Sequence, residues 1–261
     1  MKVGFIGLGN AGGKLAGSIL RNGFDLTVHD LNPSLVDEFI ERGAKSVGSP
    51  KEMAKRCDVV ITCLPSPKAC SEVMESSEGI LSGLSKGKIW LEMSTTDEAE
   101  IRRIGALVEA IGALPIDCPV SGGCHRADTG NISIFAGCSR EAFERALPIL
   151  TTMGRRVLHT GDLGTASTLK VMTNYLATVN LASIAEALTT MKMLGMDMNV
   201  TYEAIKASSG TSFVHETESQ VILNGSRDIS FTMDLVSKDI GIFNELAQRK
   251  GLDLEIAPLI V

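Results

Sequence analysis

The most constraining feature of the sequence stands at its start. Residues 2–6, KVGFI, form a compact apolar run, and the next six, Gly7-Leu8-Gly9-Asn10-Ala11-Gly12, read G-x-G-x-x-G. With 26 glycines in 261 residues, the string alone carries little weight. Its context gives it meaning: it joins a strand-like run directly to Asn10–Arg21, where Leu15, Ile19 and Leu20 fall at helical spacing. In such a strand–loop–helix unit the first glycine permits the tight turn. The second lets a pyrophosphate approach the backbone, and the third lets helix and strand pack closely. The helix N-terminus then offers unpaired N–H groups to phosphate. Gly7, Leu8, Gly9, Asn10, Ala11 and Gly12 are therefore expected to cradle a dinucleotide.

A second strand-like run, Asp25–Asp30, ends in a carboxylate. The dinucleotide fingerprint places an acidic residue for the adenosine ribose about 20 residues past the glycines. The plainer alternative makes Asp30 a turn or capping residue before Asn32-Pro33. Asp30 would repel a 2′-phosphate, and Leu31 and Asn32 supply no cation to bind one. The expected cofactor is NAD rather than NADP.

Further strand-like runs at Asp58–Leu64, Lys88–Glu92, Leu114–Cys118, Ile132–Ala136 and Arg156–Thr160 alternate with helical stretches. These are Pro33–Arg42, Thr96–Ile111 and Arg140–Met153. That rhythm predicts a parallel, doubly wound sheet with right-handed crossovers over residues 1–162. From Thr165 to about Leu194 there is no Pro, and apolar residues fall on more than one face. One long, largely buried helix is expected over 163–194. Residues 195–261 read as helices only: Val200–Ala207, Phe213–Leu223 and Met233–Arg249. The predicted fold is α/β: an N-terminal Rossmann-type doubly wound sheet, a long connecting helix and an all-helical C-terminal domain.

The formal net charge is −6, and no run of Lys and Arg exceeds two. Nucleic acid is thus an unexpected partner, and small molecules fit better. No stretch of about 18 uninterrupted apolar residues predicts a membrane span. The N-terminal apolar run is broken by glycines, unlike a signal peptide. Six cysteines without a Cys-x-x-Cys pair, and only four histidines, predict no metal site and reduced thiols in a cytoplasmic setting.

Several residues stand where chemistry could occur. Leu64-Pro65 and Ser94-Thr95 close strands, and open α/β sheets bind ligands at the carboxyl ends of their strands. Each could equally be a turn with a helix cap. Ser121-Gly122-Gly123 can present a hydroxyl and consecutive N–H groups to a carboxylate, though alone it reads as a glycine turn. Lys170 and Asn174 are four apart on the long helix and share a face. A lysine in so apolar a run is costly unless it is paired, lines a cavity or snorkels to water. Lys238-Asp239 by itself reads as an exposed charged pair.

These motifs occur in one order: GLGNAG at 7–12, CLP at 63–65, MSTT at 93–96, DCPVSGG at 117–123, GDLGTASTLKVMTN at 161–174 and FTMDLVSKD at 231–239. In that order, over essentially the whole chain, the sequence resembles the β-hydroxyacid dehydrogenase family. The resemblance implies that Lys170 is the catalytic lysine and that Asn174 holds substrate beside it. It implies that Ser121, Gly122 and Gly123 bind the substrate carboxylate. It also implies that Leu64, Pro65, Thr95, Phe231 and Lys238 surround the cofactor. The expected substrate is a small hydroxy acid or its semialdehyde, and the expected assembly a homodimer or homotetramer. Ala11 stands where a Met is usual, Thr173 replaces the first Asn of Lys-x-x-Asn-Asn, and His125-Arg126 is unusual and leaves the substrate open. Family members extend one or two helices beyond Val261. A reading of a different class is a catalytically silent NAD-binding scaffold or sensor. It would keep the glycines and Asp30 but lose the Lys170, Asn174 and Ser-Gly-Gly set.

Overall fold

The computed structural model describes residues 1–226 and 231–260. In chain order the first elements are β1 (Lys2–Ile6), α1 (Gly12–Arg21), β2 (Asp25–His29), α2 (Pro33–Glu41), β3 (Lys45–Ser46), α3 (Pro50–Arg56), β4 (Val59–Thr62) and α4 (Pro67–Glu75). Then come β5 (Ile89–Glu92), α5 (Glu98–Ala110), β6 (Leu114–Asp117), β7 (Val120–Ser121), α6 (Cys124–Asp128), β8 (Ile132–Gly137), α7 (Arg140–Met153) and β9 (Gly154–Gly161). The helices α8 (Thr165–Met193), α9 (Met198–Lys206), α10 (Phe213–Asn224), α11 (Met233–Gln248) and α12 (Ala257–Ile260) follow. Residue contacts resolve two compact units, Met1–Lys170 and Val171–Val261.

In the first unit the sheet runs β3-β2-β1-β4-β5-β6, all parallel. The order reverses between β1 and β4, which makes the crevice at the ends of those two strands the natural ligand site. Beyond β6 the pattern changes. β8 runs antiparallel to β6 and β7, and β9 lies parallel to β8 at the edge. The sheet is therefore mostly, not wholly, parallel. Residues 122–131 between β7 and β8 are fewer than the dozen or so that a parallel crossover needs, so the chain turns back instead.

Each face of the sheet buries its own core. Leu15 and Ile19 of α1, Ala127 of α6 and Phe143, Ile149 and Leu150 of α7 close one side. Met53 of α3, Met74 of α4 and Ile101, Ile104 and Val108 of α5 close the other. Fully burying side chains of this size stabilises by roughly 1.5–3 kcal/mol each. Helix starts are written in the sequence. Asn32, Ser49 and Ser66 each cap a helix whose first residue is proline, and Asp97 and Ser139 cap α5 and α7.

In the second unit, Ile184, Leu188 and Val214 form one small cluster, and Val236, Ile240 and Ala257 form another with Tyr175. His215 is buried and structural: Nε2 lies 3.0 Å from the Tyr202 carbonyl oxygen and Nδ1 3.0 Å from Ser219 Oγ. The long helix is present, but it is not largely buried as its composition suggested. Each cluster touches only part of α8, and Leu176 is 50% exposed. Among the described residues no helix is long and apolar enough to cross a membrane.

Candidate active site

The glycine loop lies where the sheet order reverses, and its three glycines answer different demands. Gly7 has φ +94°, and a Cβ there would lie 2.2 Å from the Cys63 carbonyl oxygen. A Cβ on Gly12 would lie 2.0 Å from the Gly7 carbonyl oxygen. Gly9 differs: a Cβ there would meet nothing within 4 Å, and the residue is exposed. The protein needs Gly7 and Gly12 for its own packing, while Gly9 leaves open space beside the backbone. Unlike α2, α4, α5 and α7, helix α1 has no side-chain cap; Gly13 N–H donates to the Gly9 carbonyl oxygen at 2.8 Å, and no side chain competes with an outside acceptor at the helix start. These features fit a dinucleotide pyrophosphate.

Asp30 follows β2. Its carboxylate accepts from Leu8 N–H at 2.6 Å and from Asn32 N–H at 2.8 Å. It thus ties the glycine loop to the turn after β2. Capping of α2 falls to Asn32, whose Oδ1 accepts from Ser34 N–H. Leu64 and Pro65 follow β4, and Thr95 follows β5. Leu64 N–H donates to Ser94 Oγ at 2.7 Å, and Ser94 N–H donates to Glu92 Oε1 at 2.8 Å. Glu92 is wholly buried and also accepts from Thr62 Oγ1, which in turn accepts from Trp90 Nε1. Burial pushes the Glu92 carboxyl above its ordinary value, against the Ser94 and Thr62 hydrogen bonds. This knot fixes both loops that face the crevice. Sequence reasoning passed over Glu92, because a charged residue closing an apolar strand looks like a strand end.

Asp117 is a second buried carboxylate that sequence reasoning left without a role. Its oxygens accept from Ser167 N–H at 2.8 Å and Ser167 Oγ at 2.7 Å, which anchors the start of α8 to the end of β6. Burial pushes its carboxyl up to about 7; the bonds from Ser167 oppose that shift and the charge of Glu92 adds to it. Lys170, one turn past Ser167, is only 9% exposed. Ser121, Gly122 and Gly123 follow β6 through β7, and Gly122 and Gly123 have φ +126° and +86°. The thiols nearby are fillers: burial pushes Cys63 to about 12 and Cys118 well above its ordinary value.

The remaining sequence-predicted residues belong to the second unit. Asn174 Nδ2 donates to Asp239 Oδ2 at 2.5 Å, and Lys238 Nζ lies 2.8 Å from Asp239 Oδ1. Lys238-Asp239 is therefore not an exposed pair. Asp239 is 1% exposed and joins Asn174 to Lys238. Its position in α11, with Val236 and Ile240 facing a core, was the available signal for its burial. Phe231 is half-exposed ahead of α11.

The chain is similar to known proteins over nearly its whole length. Residues 2–161 match the model of the NAD binding domain of 6-phosphogluconate dehydrogenase. Residues 164–260 match the model described as NAD-binding of NADP-dependent 3-hydroxyisobutyrate dehydrogenase. The chain is 32% identical to mitochondrial 3-hydroxyisobutyrate dehydrogenase of Mus musculus over 252 residues, 94% of this chain and 75% of that protein. It is 34% identical to the NAD-dependent L-serine dehydrogenase of Pseudomonas aeruginosa over 254 residues, 95% of this chain and 85% of that one. A crystal structure of 3-hydroxyisobutyrate dehydrogenase from Salmonella typhimurium superposes with a TM-score of 0.90 at 28% identity, covering 100% of this chain and 91% of the other. With an N-terminal NAD-binding domain and a helical C-terminal part matched along their whole lengths, the chain belongs to the β-hydroxyacid dehydrogenase family.

Proposed function

We propose that the protein is an NAD-dependent dehydrogenase that interconverts a short-chain 3-hydroxy acid and its semialdehyde. The observation that carries the reading is Lys170: a 9%-exposed lysine on a helix whose start is locked to β6 through Asp117 and Ser167. A bound nicotinamide would supply the hydride acceptor for the carbinol carbon and, in reverse, the hydride donor for the aldehyde carbon. As hydride leaves, the hydroxyl oxygen must lose its proton, and Lys170 Nζ accepts it in the neutral form. In the reverse direction the Lys170 ammonium returns that proton to the carbonyl oxygen. Ser121 and the N–H groups of Gly122 and Gly123 hold the carboxylate, which fixes the carbinol carbon. Asn174, oriented by Asp239, holds substrate beside Lys170.

The glycine loop from Gly7 to Gly12, with Leu64, Pro65, Thr95, Phe231 and Lys238, holds the dinucleotide. Asp30, fixed by two backbone N–H groups, meets the adenosine ribose hydroxyls, and its charge favours NAD over NADP. A cytoplasmic homo-oligomer is the expected form; six unpaired cysteines and the exposed apolar side chains of the second unit support it.

The test is NAD(P)H formation across a panel of short hydroxy acids, with NAD and NADP in parallel, for wild type and Lys170→Ala. Activity on one acid with NAD, falling by about 100-fold or more in kcat in the variant, is the expected result. A chain that binds NAD yet oxidises none of the acids, or a variant as active as wild type, overturns the reading.

A further inference from the structure

Beyond β6, the three-stranded end of the sheet carries a cavity of about 550 Å³ that the proposed reaction does not use. Its walls are Arg126, Thr129, Asn131, Ser133, Arg155 and Arg156. Three guanidinium groups and three neutral polar side chains line it, with neither a carboxylate nor an apolar residue among them. In a chain of net charge −6 this is a local reversal of sign.

Arg155 and Arg156 differ from the arginines outside this cavity in the first unit. Arg21, Arg42, Arg56, Arg102, Arg103, Arg140 and Arg145 each lie against an Asp or Glu. Among the described residues neither Arg155 nor Arg156 has a carboxylate within 4.0 Å. Consecutive residues of a regular strand point to opposite faces. Here β9 is irregular at this point: Ile132 pairs with Gly154 and Ser133 with Arg156, which leaves Arg155 as an extra residue. The bulge lets two successive arginines line one cavity, a re-aiming of side chains that bulges commonly perform beside functional sites.

The cavity adjoins the Ser-Gly-Gly turn. Ser133 pairs with Ser121 on one side and with Arg156 on the other, so the three lie in one row across β7, β8 and β9 at about 4.8 Å spacing. Arg126 Cδ lies 3.3 Å from the position a Cβ on Gly122 would take. An occupant that moved Arg126 would thereby change the packing against the turn.

We infer that this cavity is a second oxyanion site, separate from the glycine loop, which takes a carboxylate or phosphate group through Arg155, Arg156 and Ser133. Guanidinium forks suit both groups through paired N–H donors. The group can belong to the far end of a longer substrate or to a free anion. Only the effect on turnover rests on reading Ser121–Gly123 as the substrate turn; binding rests on the cavity alone.

The test titrates inorganic phosphate into the full chain by calorimetry with NAD at saturation, which keeps the glycine loop filled. Wild type is expected to bind phosphate saturably, and Arg155→Gln/Arg156→Gln is expected to bind it at least about tenfold more weakly. Both arginines are exposed, so the thermal midpoint should not move, which separates lost binding from lost folding. Absence of binding at millimolar phosphate, equal binding by the variant, or binding that NAD abolishes overturns the inference. Kinetics then identify the source. A rise in KM confined to hydroxy acids with a second carboxylate assigns the site to the substrate's far end. A phosphate effect common to all the acids, erased in the variant, assigns it to a free anion. If phosphate binds at the arginines while no acid is oxidised, this inference stands and the dehydrogenase reading falls.

Discussion

Gly9 and Gly12 are three residues apart, yet substitution should separate folding from binding. A Cβ on Gly12 would lie inside the contact distance of the Gly7 carbonyl oxygen, a backbone atom that cannot step aside. Gly12→Ala is therefore expected to lower the thermal midpoint and abolish cofactor binding together. A Cβ on Gly9 meets no protein atom within 4 Å, and Gly9 has no left-handed φ for a side chain to strain. Gly9→Ala should keep wild-type stability within about 0.5 kcal/mol, the usual range for surface changes. It should nevertheless weaken NAD binding by about tenfold or more, because the methyl occupies the space left for phosphate. Thermal melts and NAD titration of the two variants check this. A Gly9→Ala chain that binds NAD like wild type would show that the loop holds no dinucleotide. The glycine spacing was legible in the sequence. So were the separate roles of the three glycines; which backbone atoms exclude a side chain at Gly7 and Gly12 was not, because that depends on where Cys63 and Gly7 carry their carbonyl groups.

At the scale of elements, the Asp117–Ser167 anchor makes the seating of α8 sensitive to pH. The Asp117 carboxyl is pushed up to about 7, while an unfolded aspartate titrates near 3.8. Between those values the folded chain holds a proton that the unfolded chain has released. The stabilising contribution is thus complete below about pH 4 and is lost as pH rises through about 7. Three units correspond to roughly 4 kcal/mol at most, and Glu92, also raised by burial, adds a slope of the same sign. Asp117→Asn keeps an acceptor for Ser167 N–H and a donor for Ser167 Oγ, but it cannot titrate. Urea midpoints between pH 5 and 8 should fall for wild type and fall less steeply for the variant; parallel slopes would remove Asp117 as the cause. Elements differed in how far the sequence disclosed them. Apolar runs such as Val59–Thr62 announced strands, and Asn32-Pro33 announced a helix start. The return of β8 against β6 did not show, because the strand pattern of Ile132–Gly137 is the same in either direction; the short 122–131 link was the clue. Glu92 and Asp117 escaped for a related reason: sequence spacing does not reveal which carboxylates fold inward.

At the scale of the whole molecule, the two units differ in how they treat their apolar residues. The first closes both faces of its sheet with helices and buries Trp90, Phe5, Leu15 and Ile61 completely. Among its described residues the second has two small clusters, and it leaves Leu176, Leu181, Val200 and Ile222 between 36% and 59% exposed. The sequence made α8 apolar on several sides, which suggested burial within the chain. The same composition is satisfied if part of the helix is buried by another copy, since small satellite clusters leave most of its surface uncovered. Sedimentation at micromolar concentration should therefore give a species larger than the 27.7 kDa single chain. Removing one fully buried leucine from an interface costs roughly 1.5–3 kcal/mol, about 10- to 100-fold in dissociation constant. Leu176→Glu, and separately Leu181→Glu, should shift the assembly toward single chains while NAD binding by the first unit persists. A wild-type chain that sediments as a single copy would leave these side chains simply solvent-exposed and would end the argument for association through the helical unit.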